Sequence, residues 1–277
     1  MTDDTLLTQL NADGVMTVTL NRPAARNAFD TRMQRGMLDL FHDLSRNPEV
    51  RVVVLTGAGS AFCTGGDVKA LGAPDPDDPL AQRFGTDPVW LDLEARVDRL
   101  RRFMQSSLML HRMGKPTIAM VRGAAAGAGM ALALACDFRI ASKTAFFLTS
   151  FAKIGMSGDF GGSYFLTKLV GPAKAKELYM LGDRLEAEEA QRLGLLTKLV
   201  EDAALESETA AFAARLAAGA PVALRYIKEN INAALDEMLE RACEVETRNM
   251  IRTRFTQDSK EAMAAFFEKR EPRFRGI

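Results

Sequence analysis

The sequence predicts an α/β fold, with a largely parallel sheet in the first 200 residues and a helical region after it. Two observations carry this expectation. Strand-like apolar runs at Val15–Leu20, Val50–Thr56 and Thr117–Val121 are separated by helical periodicity, and strands joined through helices imply right-handed βαβ crossovers. From Ala173 onward the pattern turns almost wholly helical. A length of 277 residues suits one large domain, or a domain with a smaller appendage. The corresponding division is residues 1–200 for the sheet-rich core and 201–277 for the helical region.

Taken in order, Val15–Leu20 (VMTVTL) alternates apolar residues with Thr, the period-2 mark of a strand with one buried face. Asp30 offers an N-cap for a helix through about Ser45, with Met33, Met37, Leu40, Phe41 and Leu44 at helical spacing. Val50–Thr56 (VRVVVLT) is a buried-strand run. Between Leu71 and Pro88 four prolines and several aspartates interrupt all periodicity; this segment reads as a surface loop, either a lid over a site or a tolerated insertion. Thr117–Val121 (TIAMV) follows Pro116, which suits the entry to a strand. Phe138–Ala141 and Ala145–Phe147 are shorter strand candidates. Ala187–Leu193, Ala203–Ala218, Pro221–Ala234 and Leu235–Arg254 are the clearest helical segments, with Pro221 at the first helical position.

Composition excludes several functions. Lys and Arg total 36 and so do Asp and Glu, so a nucleic-acid binder relying on a broad basic face is not expected. Cys63, Cys136 and Cys243 are sparse and odd in number, which reads as reduced thiols and not a disulfide frame. His42 and His111 have no neighbouring ligand types and read as helix-surface residues, so no metal site is expected. The long uncharged stretches, Gly123–Cys136 and Val52–Gly66, fall short of the ~20 residues a membrane-spanning helix needs. The acidic, polar start MTDDTLLTQL does not resemble a signal peptide. A cytoplasmic protein is expected.

Two glycine-rich turns follow strand signals: AFCTGGDVK (Ala61–Lys69) and RGAAAGAGM (Arg122–Met130). Small residues let a ligand approach the main chain, and a helix starting at such a turn points unpaired N–H groups outward. Two such starts on neighbouring strands can converge on one oxygen atom, the geometry of an oxyanion hole. Each turn also has a plain reading, with Asp67 as a helix N-cap and GAAAGAG as a tight helix-packing face. A Rossmann fingerprint fits poorly because Leu132 stands where Gly or Ala is wanted, and no GK[ST] follows for a P-loop. A third segment, FAKIGMSGDFGGSY (Phe151–Tyr164), sets Asp159 in a glycine-flanked turn before a helix through Val170. On its own it reads as a helix cap.

Together these segments resemble the crotonase (enoyl-CoA hydratase/isomerase) superfamily over nearly the whole chain. NRPAARNAF (Asn21–Phe29) is similar to its early coenzyme A-contacting segment, AFCTGGD and RGAAAGAGMALALACD to its two oxyanion turns, and AFFEKREPRF (Ala265–Phe274) to its C-terminal segment. The resemblance implies a crotonase-type ββα spiral core with a helical C-terminal trimerisation region, a homotrimer or a dimer of trimers. No cofactor is implied beyond the coenzyme A carried by an acyl-CoA substrate. The oxyanion donors implied are the main-chain N–H groups of Gly66 and Ala128. Substrate and coenzyme A contacts are implied for Arg22, Ala24, Arg26 and Ala28, for Thr64, Asp67 and Val68 in the first turn, and for Phe151. Phe266 and Lys269 match C-terminal coenzyme A contacts that a neighbouring subunit can receive.

Hydratases of the superfamily use two glutamates, and the matching positions here are Ala131 and Phe151, neither of which transfers a proton. SFAKIGMSGDFGG is instead similar to isomerases acting on ring-epoxide phenylacetyl-CoA and related enoyl-CoA compounds, where an aspartate at the Asp159 position is the acid/base. A dehalogenase branch shares this segment but needs a histidine where Met104 stands. The expected function is therefore isomerisation of an acyl-CoA through an oxyanion-stabilised enolate, with Asp159 as acid/base at a pKa raised by an apolar wall of Phe147, Phe151 and Phe160. The alternatives are a hydratase or acyl-CoA hydrolase, and a catalytically silent acyl-CoA-binding protein.

Overall fold

A computed structural model describes residues 4–67 and 93–277. Val68, Trp90 and the Leu71–Pro88 segment lie outside the described residues. The first part of the chain runs β1 (Leu6–Leu10), β2 (Val15–Leu20), α1 (Thr31–Arg46), β3 (Val52–Gly57), α2 (Leu93–Phe103), α3 (Gln105–Arg112), β4 (Thr117–Val121), β5 (Ala124–Ala126) and α4 (Ala128–Ala135). It continues through β6 (Phe138–Ser142), β7 (Phe146–Leu148), α5 (Gly162–Leu181), β8 (Leu185–Glu186), α6 (Ala187–Arg192) and β9 (Lys198–Val200). Helices α7 (Leu205–Ala217), α8 (Pro221–Asp236), α9 (Leu239–Arg254) and α10 (Gln257–Glu268) follow.

A six-stranded sheet has the order β1-β2-β3-β4-β6-β9, parallel except for the β1–β2 pair. A three-stranded sheet has the order β5-β7-β8. The spiral is visible in how the chain moves between them. It leaves β4 for β5 and then enters α4; one turn later it leaves β6 for β7 and then enters α5. The segment after β3 follows the same course, because Cys63 bridges Ala125 beside the small sheet. The β4–β5 and β6–β7 turns therefore each deliver a short strand followed by a helix start.

The large sheet is buried on both faces, which is why its central strands read as near-continuous apolar runs. Val53 and Leu55 of β3 pack into one core with Met33, Met37 and Phe41 of α1, whereas Val52 and Val54 point to the other face, against Leu205, Ala213 and Ala217 of α7. Each fully buried side chain of this kind contributes roughly 1.5–3 kcal/mol relative to exposure. The Asp30 carboxylate accepts from the Met33 amide at 2.8 Å, so the predicted N-cap forms.

Two expectations are corrected. The stretch after Ala173 is not wholly helical: β8 and β9 interrupt it, the latter completing the edge of the large sheet beside β6. With two and three residues, these strands are too short to show a period. Likewise His111 is half-buried, its ring packing on Phe165 at 5.2 Å, and not a surface residue. Burial lowers its pKa from the ordinary imidazole value. The predicted end of helix at Val170 is met by a break inside α5, where Gly171 adopts φ 79°, ψ 161° ahead of Pro172. This break folds the second half of α5 back toward its own start.

Candidate active site

The first turn is held between two neighbours. Phe29 N donates to Gly65 O at 2.7 Å and Asp67 N to Phe29 O at 3.0 Å, which lays residues 26–29 alongside 64–67. On the other side Cys63 N donates to Ala124 O at 3.0 Å and Ala126 N to Cys63 O at 2.9 Å. Gly65 is left-handed at φ +88°, and a Cβ there would lie 2.9 Å from Ala126 O and 3.1 Å from Ala128 N. Only glycine permits so close an approach. The Gly65–Gly66 peptide is thereby set beside the start of α4.

At that start Gly127 is the N-cap, at φ 51°, ψ −126°, and its carbonyl accepts the first intrahelical bond from Ala131 N at 3.1 Å. The Ala128 amide is therefore one of the orphan donors of a helix N-terminus. The Gly66 amide takes no part in the bridge to Phe29 and finds no carbonyl partner among the described residues. An added Cβ on Gly66 would meet no atom of the described residues within 4 Å. Two amides without backbone partners among the described residues thus stand at adjoining turns. The oxyanion reading needs donors of this kind.

The Asp159 turn belongs to the same cluster, and Phe151 joins the two. A Cβ on Gly127 would lie 3.6 Å from Phe151 Cζ, and one on Gly158 would lie 3.8 Å from Phe151 Cδ2. The ring thus spans the distance from the second oxyanion turn to the residue before Asp159. The turn is strained: Gly158 sits at φ +122°, and Phe160, a bulky side chain, adopts φ +49°. Such backbone costs of order 1–3 kcal/mol. It is held by burial of the Phe160 ring, 5.6 Å from that of Phe29.

Asp159 Oδ1 is buried with no hydrogen-bond partner among the described residues. Loss of hydration pushes the carboxyl up to about 6. Of the expected wall, Phe151 lies against the turn and Phe160 is its next residue, while Phe147 is buried within β7; all three are buried. Ala131, one turn along α4 from Ala128, faces the same place: a Cβ on Gly162 would be 3.0 Å from Ala131 Cβ.

The remaining predicted positions divide. Arg22 turns inward, donating to Ala28 O at 2.6 Å and to Asp67 Oδ2 at 3.1 Å, and pairing with Asp30 at 3.1 Å. It clamps the early segment to the first turn, and Asp67 is its partner. Ala24 and Arg26 are exposed on the outer side of that segment, Ala28 is buried, and Thr64 meets the Arg26 carbonyl at 3.4 Å. Phe266 and Lys269 are exposed on and just after α10, outside the cluster. Val68 is not described.

Two residues of the site were not found by sequence reasoning. Asn27, buried at φ 58°, accepts from Arg22 N and donates to Ala58 O and Ala61 O at 2.9 and 2.8 Å, fixing the early segment to the approach of the first turn. Its signal was its place in NRPAARNAF, where a small amide suits a left-handed turn. Tyr179 is the other; nothing local marks it, since only the break in α5 brings it to Gly158 and Gly162.

Comparison with known proteins follows this geometry. Residues 11–276 match the family described as Enoyl-CoA hydratase/isomerase. A 1,2-epoxyphenylacetyl-CoA isomerase of Escherichia coli (strain K12) is 34% identical over 263 residues, 95% of each chain. An (E)-benzylidenesuccinyl-CoA hydratase of Thauera aromatica is 34% identical over 260 residues, 94% of each. Among solved structures, an enoyl-CoA hydratase from Polaromonas sp. JS666 superposes with a TM-score of 0.86 at 33% identity, covering 97% of this chain and 99% of the other.

Proposed function

The chain belongs to the enoyl-CoA hydratase/isomerase family, and from that premise we propose that it is an acyl-CoA isomerase in which Asp159 moves the proton. The observation that carries this reading is the state of Asp159: a buried carboxyl without a partner among the described residues, pushed up to about 6, beside positions 131 and 151 that are Ala and Phe. A carboxylate poised there accepts a proton more readily than an ordinary aspartate and still ionises at neutral pH.

In this mechanism the thioester oxygen of an unsaturated or ring-containing acyl-CoA accepts hydrogen bonds from the Gly66 and Ala128 amides. Those donors are fixed before the reaction, and one such donor is commonly worth about 3–4 kcal/mol to the enolate-like transition state. Asp159 removes a proton near the carbonyl, electrons shift toward the thioester oxygen, and the same carboxyl returns the proton farther along the conjugated system. The relative named as an isomerase supports this reading. The relative named as a hydratase supports a second one, in which Asp159 activates water. The assembly proposed with it is a homotrimer or dimer of trimers, supported by the apolar side chains exposed on α8, α9 and α10.

The test is a 3-enoyl-CoA in deuterated water, with double-bond migration and deuterium uptake followed by NMR for the wild type and Asp159→Asn. Migration by the wild type alone is the expected result. Hydration without migration supports the second reading, and neither event on any enoyl-CoA tested overturns both.

A further inference from the structure

The notch beneath Asp159 is occupied by a phenol. A Cβ on Gly162 would stand 2.5 Å from Tyr179 Oη and 3.0 Å from Ala131 Cβ, and a Cβ on Gly158 would stand 3.1 Å from Tyr179 Cε1 and 3.7 Å from its Oη. Two glycines therefore flank one hydroxyl, Gly158 just before Asp159 and Gly162 at the first position of α5, and Ala131 lies against Gly162. At Gly162 a methyl group would collide with Oη, which accounts for glycine there. Stacking fixes the ring itself, since the Phe151 and Tyr179 planes differ by 5° with centroids 6.2 Å apart.

Two polar groups at this turn lack partners among the described residues. Asp159 Oδ1 has none among the described residues, and no bond from the Tyr179 hydroxyl to a described residue is present. The two groups sense each other's charge: burial, then the nearby Asp159 carboxylate, push the phenol up to about 12, so it stays a donor throughout the working range. A buried carboxylate oxygen near a neutral O–H gains from accepting its hydrogen bond, and gains more once the acid ionises.

We propose that Tyr179 is a positioning residue for Asp159, its hydroxyl donating to the buried carboxylate oxygen in the ionised state and leaving the other oxygen to meet the substrate. Tyr179 takes no proton from the substrate. It fixes which carboxylate oxygen acts and sets how readily that carboxylate forms. This rests on the reading of Asp159 as the acid/base.

The test is Tyr179→Phe, which keeps the stacked ring and removes the O–H. Two readouts separate the ideas. First, the Asp159 carboxyl is titrated by carbon-13 NMR in wild type and variant, which needs no turnover. The expected result is an Asp159 midpoint higher by about one pH unit in Tyr179→Phe, because the charged form has lost its donor. Second, the acid limb of the kcat profile on a turned-over enoyl-CoA should move up by the same amount, with kcat lowered about fivefold at pH 6 and KM little changed. An unmoved NMR midpoint overturns the proposal, whether or not the variant is slower. A moved midpoint with no isomerisation by the wild type leaves Tyr179 positioning Asp159 and overturns the isomerase reading alone. Gly162→Ala, which puts a methyl group where the hydroxyl sits, is a second route to the same loss and should move the midpoint in the same direction.

Discussion

A carboxyl that is useful as a base at neutral pH is expensive to keep folded, and Asp159 shows the conflict. Its folded pKa, pushed up to about 6, lies above that of a free aspartate. Below about pH 4 folded and unfolded chains both hold the proton. Between about 4 and 6 the folded chain holds a proton the unfolded chain has released, so stability falls as pH rises through this window, and the loss is complete above it. Asp159→Asn should therefore be more stable than wild type at pH 7, by about 1–3 kcal/mol, with the gap closing near pH 4; thermal melts at both pH values check this. The same variant should lose about 10²–10⁴-fold in isomerisation. In the wild type kcat/KM should fall about tenfold per pH unit below about 6, as the base is protonated. An Asn variant less stable at pH 7 would mean that burial is not what raises the pKa. Asp159 was legible in the sequence because its glycine-flanked turn sits in a motif. Tyr179 was not, because its meaning depends on a chain reversal at Gly171–Pro172 that separates it from the turn by a helix.

The oxyanion arrangement proposed for Gly66 and Ala128 is a matter of elements, since neither turn supplies both donors alone. β5 holds the first turn through Cys63, the 26–29 segment holds it from the other side, and α4 brings the second donor against Gly65. Neighbouring glycines should then respond oppositely. Gly65→Ala places a methyl group against Ala126 O and Ala128 N at a left-handed backbone; a loss of about 1–3 kcal/mol in stability and 10²–10³ in kcat is expected. Gly66→Ala keeps the amide and meets no atom of the described residues within 4 Å, so its melting point should match wild type while KM rises from crowding of the thioester. Melting curves with steady-state kinetics distinguish the pair, and equal destabilisation of both would refute the account. The elements most legible in the sequence were those whose burial imposes a period. β3 is apolar on two faces, and α1 buries Met33, Met37, Phe41 and Leu44 behind an Asp30 cap. β1, largely exposed at the sheet edge, and β9, three residues long, carry no such period and take their conformation from their neighbours. Arg22 was legible as part of the early segment, but its inward clamp on Asp30 and Asp67 depends on the fold bringing residues 45 positions apart together.

At the scale of the whole molecule the C-terminal helices pose the question of what covers them. Met238, Leu239, Phe255, Phe266 and Phe267 are each about three-quarters exposed or more, and the last two meet edge to face, 5.8 Å between centroids. Apolar surface gathered in this way marks an interface more often than a solvated face. With a chain of 30.3 kDa, sedimentation velocity should give a particle of about three or six chains, and Leu239→Glu with Phe255→Glu should shift it toward one chain. A wild type that sediments as a single chain at micromolar concentration removes the assembly from the account. A mixing experiment then asks whether the site needs its neighbour. Asp159→Asn lacks the base but keeps Phe266 and Lys269, while Phe266→Ala/Lys269→Ala keeps the base and lacks the C-terminal contacts. If those contacts cross between subunits, a site with an intact Asp159 in one chain and an intact Lys269 in the next arises only in mixed particles. Unfolding and refolding the two variants together should then give more activity than the sum of the two refolded apart. If each chain completes its own site, the mixture gives that sum and no more, because every chain carries one defect or the other.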